Sequence, residues 1–212
     1  MNGWVQPPGM SIRSHEKLNI LIFAYWHDRG WKGFVGATVK IWDLAHNMAG
    51  LGHDVVLFLP RYDMPKADLP FRLIQIPLLD FPFLRSLSFH ILLAVSLLRR
   101  YRISRPDVVY IRRGISILPA LFARLKKALL MYEVNDDPYA GSPGRSGSPV
   151  VRFADWLSVK TDETVLAWCD MAFVITREVR DKVVRRLPDI EPCKSRIMPS
   201  GANTELYCPM DK

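Results

Sequence analysis

Polar side chains directly follow several apolar runs of the sequence, at the points where buried strands are expected to end. Carboxylates and amides at such points can hold hydroxyl groups or take part in proton transfer, and arginines bind anions. Ligands of open parallel α/β sheets bind beyond the carboxyl ends of the strands, so we expect these side chains to line one site. The candidates are His27, Arg112, Glu133, Asn135, Asp136 and Arg177.

A loop with three spaced glycines follows the first apolar run and precedes a helical pattern. Its glycines are Gly30, Gly33 and Gly36. Glycine lets backbone N–H groups approach a phosphate, and the N-terminus of the following helix favours an anion. The spacing is neither GxGxxG nor that of a Walker A loop, so a nucleotide-dependent oxidoreductase is poorly supported. A tight strand–helix turn is the alternative interpretation of this loop.

Glu133 differs from the other candidates because it lies inside an apolar run. A buried carboxylate needs a partner. Arg112 or Arg113, at the end of the preceding predicted strand, could supply it, and such a pair could be structural, functional or both. Asp137 stands before a proline, where Asp commonly begins a turn. We expect only that role for Asp137, and it remains an alternative for Asp136.

These candidates need a scaffold, and alternating strand and helix patterns supply one. Apolar runs typical of strands cover residues 18–25, 53–60, 71–76, 107–111, 129–134, 171–176 and 196–199. Helical periodicity lies between most of them. The alternation predicts an α/β fold: a Rossmann-like, doubly wound and mainly parallel sheet of about seven strands, in one domain.

Three segments between the strands carry further expectations. Residues 83–101 predict a helix that is apolar on most sides and ends in arginines, which fits a core helix or a helix attached to an anionic membrane surface. Residues 153–168 predict a helix with Trp156, Val159, Leu166 and Ala167 on one side. Residues 137–149 are rich in proline and glycine and predict a loop that is either disordered or a functional lid.

The composition is that of a folded protein with a basic surface. Of 212 residues, 49% are hydrophobic, and the formal net charge is +8. The excess favours anionic partners such as phosphates or an acidic membrane face, and a solvated basic surface is the alternative. No recognised nucleic-acid motif accompanies the charge, so no nucleic-acid partner is expected. Three cysteines without CxxC spacing predict neither a disulfide framework nor a zinc site, and no metal is expected.

The beginning of the chain lacks the apolar core of a signal peptide, and residues 1–17 are expected to form a flexible tail. The longest apolar stretch, residues 87–98, is shorter than the about 20 residues that span a bilayer. Together with the cysteine usage, these features predict a cytoplasmic location.

Several pieces of the sequence, taken in order, resemble the N-terminal domain of family 4 glycosyltransferases of the GT-B fold. The resemblance extends from Leu18 to Pro209. The pieces are LGHDVV at 51–56, RPDVVYIRR at 105–113, YEVN at 132–135, CDMAFVIT at 169–176, RIMPSGAN at 196–203 and YCP at 207–209. No piece is specific alone, and their order carries the resemblance. The glycine loop departs from the family pattern because it lacks adjacent glycines.

The resemblance implies transfer of a sugar from a UDP- or GDP-sugar donor, with retention at the anomeric carbon and without a metal or other cofactor. It implies that Gly33 and Gly36 touch the donor diphosphate, and that Asn135, where many members carry a histidine, faces the transferred sugar. An asparagine cannot act as an acid or base, so its role would be positioning. The remaining candidates, which would contact the acceptor or the sugar, are His27, Arg112, Glu133, Asp136 and Arg177.

The resemblance also implies a role in cell-envelope or exopolysaccharide synthesis, with a glycan or lipid-linked acceptor at the inner face of the cell membrane. Residues 18–204 would form the acceptor-binding domain and residues 205–212 the start of a linker. The family's donor-binding C-terminal domain would follow, so the chain would be a fragment, a truncated product or one half of a split enzyme, with little activity alone. The alternative is a degenerate, non-enzymatic domain that binds a glycan or a partner.

Overall fold

The computed structural model describes residues 16–25, 36–61, 68–79, 84–100, 105–114, 117–137, 149–188, 190 and 194–198. The strands in this part are β1 (Asn19–Phe23), β2 (Asp54–Pro60), β3 (Arg72–Ile76), β4 (Val108–Arg112), β5 (Leu129–Val134), β6 (Met171–Val174) and β7 (Ser195–Ile197). The helices are α1 (Gly36–Gly50), α2 (Leu84–Arg100), α3 (Ile117–Lys126), α4 (Pro149–Trp168) and α5 (Arg177–Arg186).

The seven strands form one sheet in the order β3-β2-β1-β4-β5-β6-β7, and every neighbouring pair is parallel. The predicted doubly wound parallel α/β fold is therefore confirmed. The chain runs from β1 outward to β3, returns to the centre and runs outward again from β4 to β7. The order reverses between β1 and β4, which is where ligands of such sheets bind.

Helices cover the two faces of the sheet unequally. On one face, α1 places Ile41 and Ala45 against buried side chains of the first, second and fourth strands. On the other face, the buried core takes side chains from α2, α3, α4 and α5. Every strand after β3 is reached by a crossover in the same direction, and right-handed crossovers place those four helices on the same face. We call these the α1 face and the four-helix face.

The central strands are buried on both faces, as a covered parallel sheet requires. Leu21 to Phe23 and Val55 to Pro60 are all buried, and the Phe23 and Phe58 rings stack at 4.6 Å between centroids. Cys169 carries a buried free thiol and packs in the core of the four-helix face. Burial, together with the nearby charge of Asp170, raises the pKa of this thiol to about 12.

Helix α4 begins earlier than the sequence predicts, and the residues predicted to share one side of it differ in burial. It begins at Pro149, inside the segment predicted as a loop, because proline is well suited to the first turn of a helix. Of the residues predicted to share one side of this helix, Trp156 and Ala167 are exposed. The α4 side chains that lie in the apolar core, Val165 and Leu166, both come from its C-terminal half.

Candidate functional site

The carboxyl ends of β1 and β4 meet where the strand order reverses. Tyr25 follows β1, and Gly114 lies two residues after β4. Gly114 has φ +146, and a Cβ added there would lie 3.3 Å from the carbonyl oxygen of Tyr25. Both the backbone angle and this close approach require glycine. The backbone segments that follow β1 and β4 therefore lie close together at the edge where a ligand is expected.

A buried ionic cluster lies beside this point, around Glu133 of β5. Glu133 is 1% exposed, and its Oε1 lies 2.5 Å from Nζ of Lys40 on α1. The hydroxyl of Tyr110 on β4 donates to Glu133 Oε2 at 2.7 Å. Burial and the charge of Glu133 both raise the pKa of the Tyr110 hydroxyl well above its ordinary value. This tyrosine therefore remains a donor to the carboxylate.

The Lys40 ammonium is itself buried and makes no directed hydrogen bond within the described part of the chain. Its contact with Glu133 is short, so the charges hold it without good donor geometry. Lys40 is thus a cation of Glu133 that the sequence did not indicate, whereas Arg113, one of the two predicted partners, pairs with Asp162 and Asp136 instead. Lys40 comes from the helix that follows the glycine loop, and it ties that helix to the fifth strand.

Arg112 reaches the cluster through Asn135. The amide of Asn135 satisfies both charged neighbours when its oxygen faces Arg112 and its nitrogen faces Glu133. In that orientation the oxygen accepts from Arg112 Nε at 2.8 Å and the nitrogen donates to Glu133 Oε1 at 2.6 Å. Lys40, Glu133, Asn135 and Arg112 thus form a continuous polar chain, which we call the Lys40–Arg112 network.

The pleat of the sheet separates this network from a second one. Side chains alternate between faces along a strand, so Tyr110 and Arg112 share the α1 face with Glu133, which is the parallel-sheet partner of Arg112. Arg113 points to the four-helix face. Its Nε donates to Asp162 Oδ2 on α4 at 2.7 Å, and its terminal nitrogen pairs with Asp136.

Arg113 is a structural cation. The hydroxyl of Tyr132 donates to the remaining Asp162 oxygen at 2.6 Å, which completes the contacts of that carboxylate. Burial alone would lower the pKa of Arg113, but the hydrogen bonds to Asp162 and then Asp136 raise it above its ordinary value. Since two carboxylates already neutralise this arginine, Asp136 and Arg113 form an internal pair on the four-helix face.

The other predicted site residues lie at several different places in the fold. Gly36 is the first residue of α1, and Arg177 is exposed at the first turn of α5, beyond the end of β6. His27 and Gly33 lie outside the described residues. The structure therefore brings together Arg112, Glu133 and Asn135, places Asp136 on the other side of the sheet and leaves Arg177 at the neighbouring strand.

Three members of these networks were missed by the sequence analysis: Lys40, Tyr110 and Asp162. Lys40 lies one residue before Ile41 on the packed side of α1, and Tyr110 lies two residues before Arg112 on the same strand face. For Tyr110 the period of two along a strand was a usable signal. Lys40 and Asp162 come from helices whose rotation on the sheet no local pattern specifies.

The chemistry open to this edge is hydrogen bonding and charge recognition. An amide and a guanidinium meet at the strand ends, while Glu133 is already engaged by a lysine and a tyrosine. Within the described ranges, no group of three or more His, Cys, Asp or Glu side chains could hold a metal ion. In the same part of the chain, no helix is long and apolar enough to cross a membrane.

Comparison with known sequences gives one family match. The profile of Glycosyltransferase Family 4 matches residues 35–206. That range contains α1 and every strand from β2 to β7, together with all residues of both polar networks. A search of curated proteins gave no match.

Comparison with solved structures gives matches of the same fold. Sucrose-phosphate synthase from Thermosynechococcus elongatus superposes with a TM-score of 0.65 at 13% identity, covering 92% of this chain and 51% of that chain. Starch Synthase IV from Arabidopsis thaliana, bound to ADP and acarbose, gives 0.61 at 13% identity over 90% and 53%. WaaG, a glycosyltransferase of lipopolysaccharide biosynthesis, gives 0.59 at 17% identity over 88% and 46%. This chain thus spans about half the length of each.

Proposed function

This chain belongs to Glycosyltransferase Family 4, and from that premise we propose that it is the acceptor-binding half of a sugar transferase. Its fold is that of the N-terminal half of GT-B glycosyltransferases. The proposed reaction moves a sugar from a UDP- or GDP-sugar to a glycan or lipid-linked acceptor, with retention at the anomeric carbon. The proposed setting is cell-envelope or exopolysaccharide synthesis at the inner face of the cell membrane.

The observation that carries the acceptor role is the Lys40–Arg112 network. It lies at the carboxyl edge beside the strand-order reversal, which is the general ligand position of this architecture. Glu133 and Lys40 fix the Asn135 amide from inside the sheet. The amide and the Arg112 guanidinium are donors and acceptors suited to the hydroxyl groups of a sugar. In this proposal Asn135 and Arg112 position the acceptor or the transferred sugar, and neither exchanges a proton.

The donor side of the site is proposed to come largely from a second domain. The matched structures are about twice as long as this chain, and the starch synthase among them is bound to ADP and acarbose. Gly36, at the N-terminus of α1, and Gly33 are the proposed contribution of this half to the donor diphosphate, since a helix N-terminus favours an anion. His27, Asp136 and Arg177 stay predictions as acceptor contacts.

Acceptor binding tests the proposal directly. We expect the chain to bind a subset of oligosaccharides or lipid-linked sugars on a glycan array. Asn135→Ala and Arg112→Ala should each weaken the best ligand by about fivefold to thirtyfold in a fluorescence titration, as loss of one or two hydrogen bonds to a ligand does.

Arg72→Ala is the matched control, because Arg72 is an exposed arginine at the amino end of β3, away from the carboxyl edge. It should leave acceptor affinity unchanged. Equal affinity of wild-type protein and both site variants, with unchanged melting temperatures, would remove the network from the acceptor site. Absence of any glycan ligand would contradict the acceptor role itself.

A further inference from the structure

Helix α2 has two apolar sides, and the sheet covers only one of them. Phe89, Leu93 and Leu97 pack into the core of the four-helix face. Leu87, Ile91, Val95 and Leu98 lie within an arc of about 80° on the opposite side, since each residue turns an α-helix by 100°. These four side chains remain between 38% and 70% exposed. Core packing accounts for the first stripe and leaves the second without a partner in the described structure.

Helix α3 continues this exposed apolar surface. Ala120 and Ala123 are buried against the sheet, whereas Leu121 and Leu125 are 47% and 75% exposed on the outer side. The two helices precede and follow β4 and pack on the same face, so their outer sides point in the same direction. We call the exposed residues of α2 and α3 the outer apolar surface. Several exposed aliphatic side chains on one face mark an interaction site more often than an inert surface.

The part of the chain that contains α2 and α3 has a large excess of positive charge. Between Phe81 and Tyr132 the sequence has ten arginines and lysines and a single acidic residue, Asp107. This quarter of the chain therefore contributes +9, against +8 for the whole chain. Neither α2 nor α3 contains an aspartate or glutamate. Such charge asymmetry indicates an anionic partner for this part of the molecule.

The cations lie at the ends of the apolar stripes. Arg99 and Arg100 end α2, Arg124 lies in the last turn of α3, and all three are exposed. Arg105 lies beside the end of α3, because its guanidinium donates to the carbonyl of Lys127 at 2.5 Å. The single acid, Asp107, accepts the backbone N–H of Asn19 at 2.8 Å. The basic patch is therefore only weakly balanced by carboxylate.

We propose that the outer apolar surface and its basic end dock on a lipid bilayer that contains anionic lipids. Aliphatic side chains along a helix, flanked by arginines and free of acids, match the boundary between acyl chains and negatively charged headgroups. A second copy of the chain would bring the exposed arginines of this surface against those of its partner. Nucleic acid would meet the arginines but would leave the leucines and Ile91 unmatched.

This docking also fits the orientation of the site. Helices α2 and α3 run antiparallel to the strands, so their N-terminal ends lie toward the carboxyl edge. With both helix axes in the membrane plane, that edge opens parallel to the bilayer surface, one helix layer above it. The docking rests on the proposed function only for this consequence, because vesicle binding requires no sugar.

Vesicle co-sedimentation of the chain tests the proposal. We expect binding to vesicles of phosphatidylcholine with roughly one third phosphatidylglycerol, weak binding to phosphatidylcholine alone, and weakening by salt. Replacing Ile91 and Leu98 together by serine should lower the partition coefficient by roughly tenfold or more, since two buried aliphatic side chains are lost. Replacing Arg99 and Arg100 by glutamine should lower it by about fivefold per arginine and flatten the salt dependence.

Two controls use equally exposed residues elsewhere. Leu51→Ser removes an aliphatic side chain that is 73% exposed in the turn after α1, and the double variant R61A/R72A removes two exposed arginines at the β2–β3 edge. Both should bind vesicles like the wild-type protein. The proposal is overturned if the wild-type chain does not bind anionic vesicles, or if the controls lose as much binding as the test variants. It is also overturned if light scattering shows a wild-type dimer that I91S/L98S converts to a monomer. Tight binding of a mixed-sequence RNA that survives I91S/L98S, without vesicle binding, would also overturn it.

Discussion

Glu133 places a negative charge inside the sheet, where removal of a carboxylate from water costs several kcal/mol unless partners replace the lost hydration. Lys40, Tyr110 and Asn135 supply those partners from three different elements. Each contact fixes the position of the side chain that makes it. At the scale of single residues, the cost of burying one carboxylate is thus offset by interactions that also orient an amide at the ligand edge.

Removal of Lys40 should lower the stability of the fold by part of the cost of burying the Glu133 carboxylate. In Lys40→Met the aliphatic stem is kept while the ammonium is lost, and the buried Glu133 loses this cation. We expect the free energy of unfolding to fall by about 3 kcal/mol or more, because breaking a buried ion pair from one side leaves an uncompensated charge. Urea denaturation followed by circular dichroism measures the change.

The double variant K40M/E133Q sharpens this test. It removes both charges, so its loss should be smaller than the sum of the two single losses by at least about 1 kcal/mol. Lys160→Met is the matched control, because Lys160 also pairs with a glutamate, Glu163, but is half exposed, and its loss should stay below about 1 kcal/mol. Strict additivity of the two single variants would show that Lys40 and Glu133 are not coupled.

The sequence indicated that Glu133 was buried and needed a partner, but not which residues pair with it. That Glu133 lies in an apolar run and needs a partner follows from the sequence alone. The choice among nearby cations depends on which sheet face each side chain takes and on where α1 rests. Arg113 is adjacent to Arg112 in the chain, yet the pleat sends it to Asp162 on the other face.

At the scale of elements, polar side chains also join helices on the four-helix face. Glu163 of α4 lies between Lys160 of the same helix and Arg186 of α5, at 2.7 Å and 3.2 Å. Asp162, its neighbour in the chain, links α4 to β4 through Arg113. The C-terminal half of α4 is therefore fixed by both apolar and ionic contacts, while its N-terminal half presents Phe153 and Trp156 to solvent.

Acid should weaken the contact between α4 and α5. The hydrogen bond from Lys160, and then that from Arg186, lowers the pKa of Glu163 below its ordinary value against an opposing effect of burial. Its stabilising contribution is therefore complete above the unfolded-chain pKa of about 4.3 and is lost as the pH falls through the lower folded value. Because both cations are at least half exposed, the contribution should be only about 0.5–1 kcal/mol.

Glu163→Gln should remove this contribution together with its pH dependence. The difference in free energy of unfolding between wild-type protein and variant should be largest near neutral pH and shrink toward zero in acid, where the wild-type carboxyl is protonated in both states. Urea titrations at several pH values measure it, with Asp54→Asn, which changes an exposed carboxylate at the start of β2, as control. A difference that grows in acid would contradict the assigned direction of the pKa.

Element types were predictable where the apolar pattern was strong. Continuous apolar runs such as LNILIF and DVVLFLP can only be satisfied by strands covered on both faces, and these strands were placed to within one or two residues. The start of α4 was not, because the rules that mark proline and glycine as loop residues do not distinguish a proline that opens a helix. Which half of a long helix touches the sheet also depends on geometry beyond the local sequence.

At the scale of the whole molecule, the reversal of strand order organises the site. β1 and β4 are central neighbours, and the loops that leave them lead to opposite faces, toward α1 and toward α3. The Lys40–Arg112 network lies on the α1 face of this edge, and the proposed membrane surface lies on the four-helix face. The sequence predicted the parallel sheet but not this order, since strand order depends on long-range pairing that alternating patterns do not encode.

This division predicts weak binding of the donor by the chain alone. In the proposed division, a nucleotide-sugar would meet the N-terminal turn of α1 and the strand ends of this half, and the second domain would enclose it from the other side. One helix N-terminus stabilises an anion by only about 1–2 kcal/mol, so we expect dissociation constants for UDP- and GDP-sugars in the millimolar range or weaker. Isothermal titration calorimetry of the purified chain measures them, with free UDP and GDP as references for the nucleotide alone. Micromolar affinity for a nucleotide-sugar would contradict the proposed division, because it would require the full donor site to lie within this half.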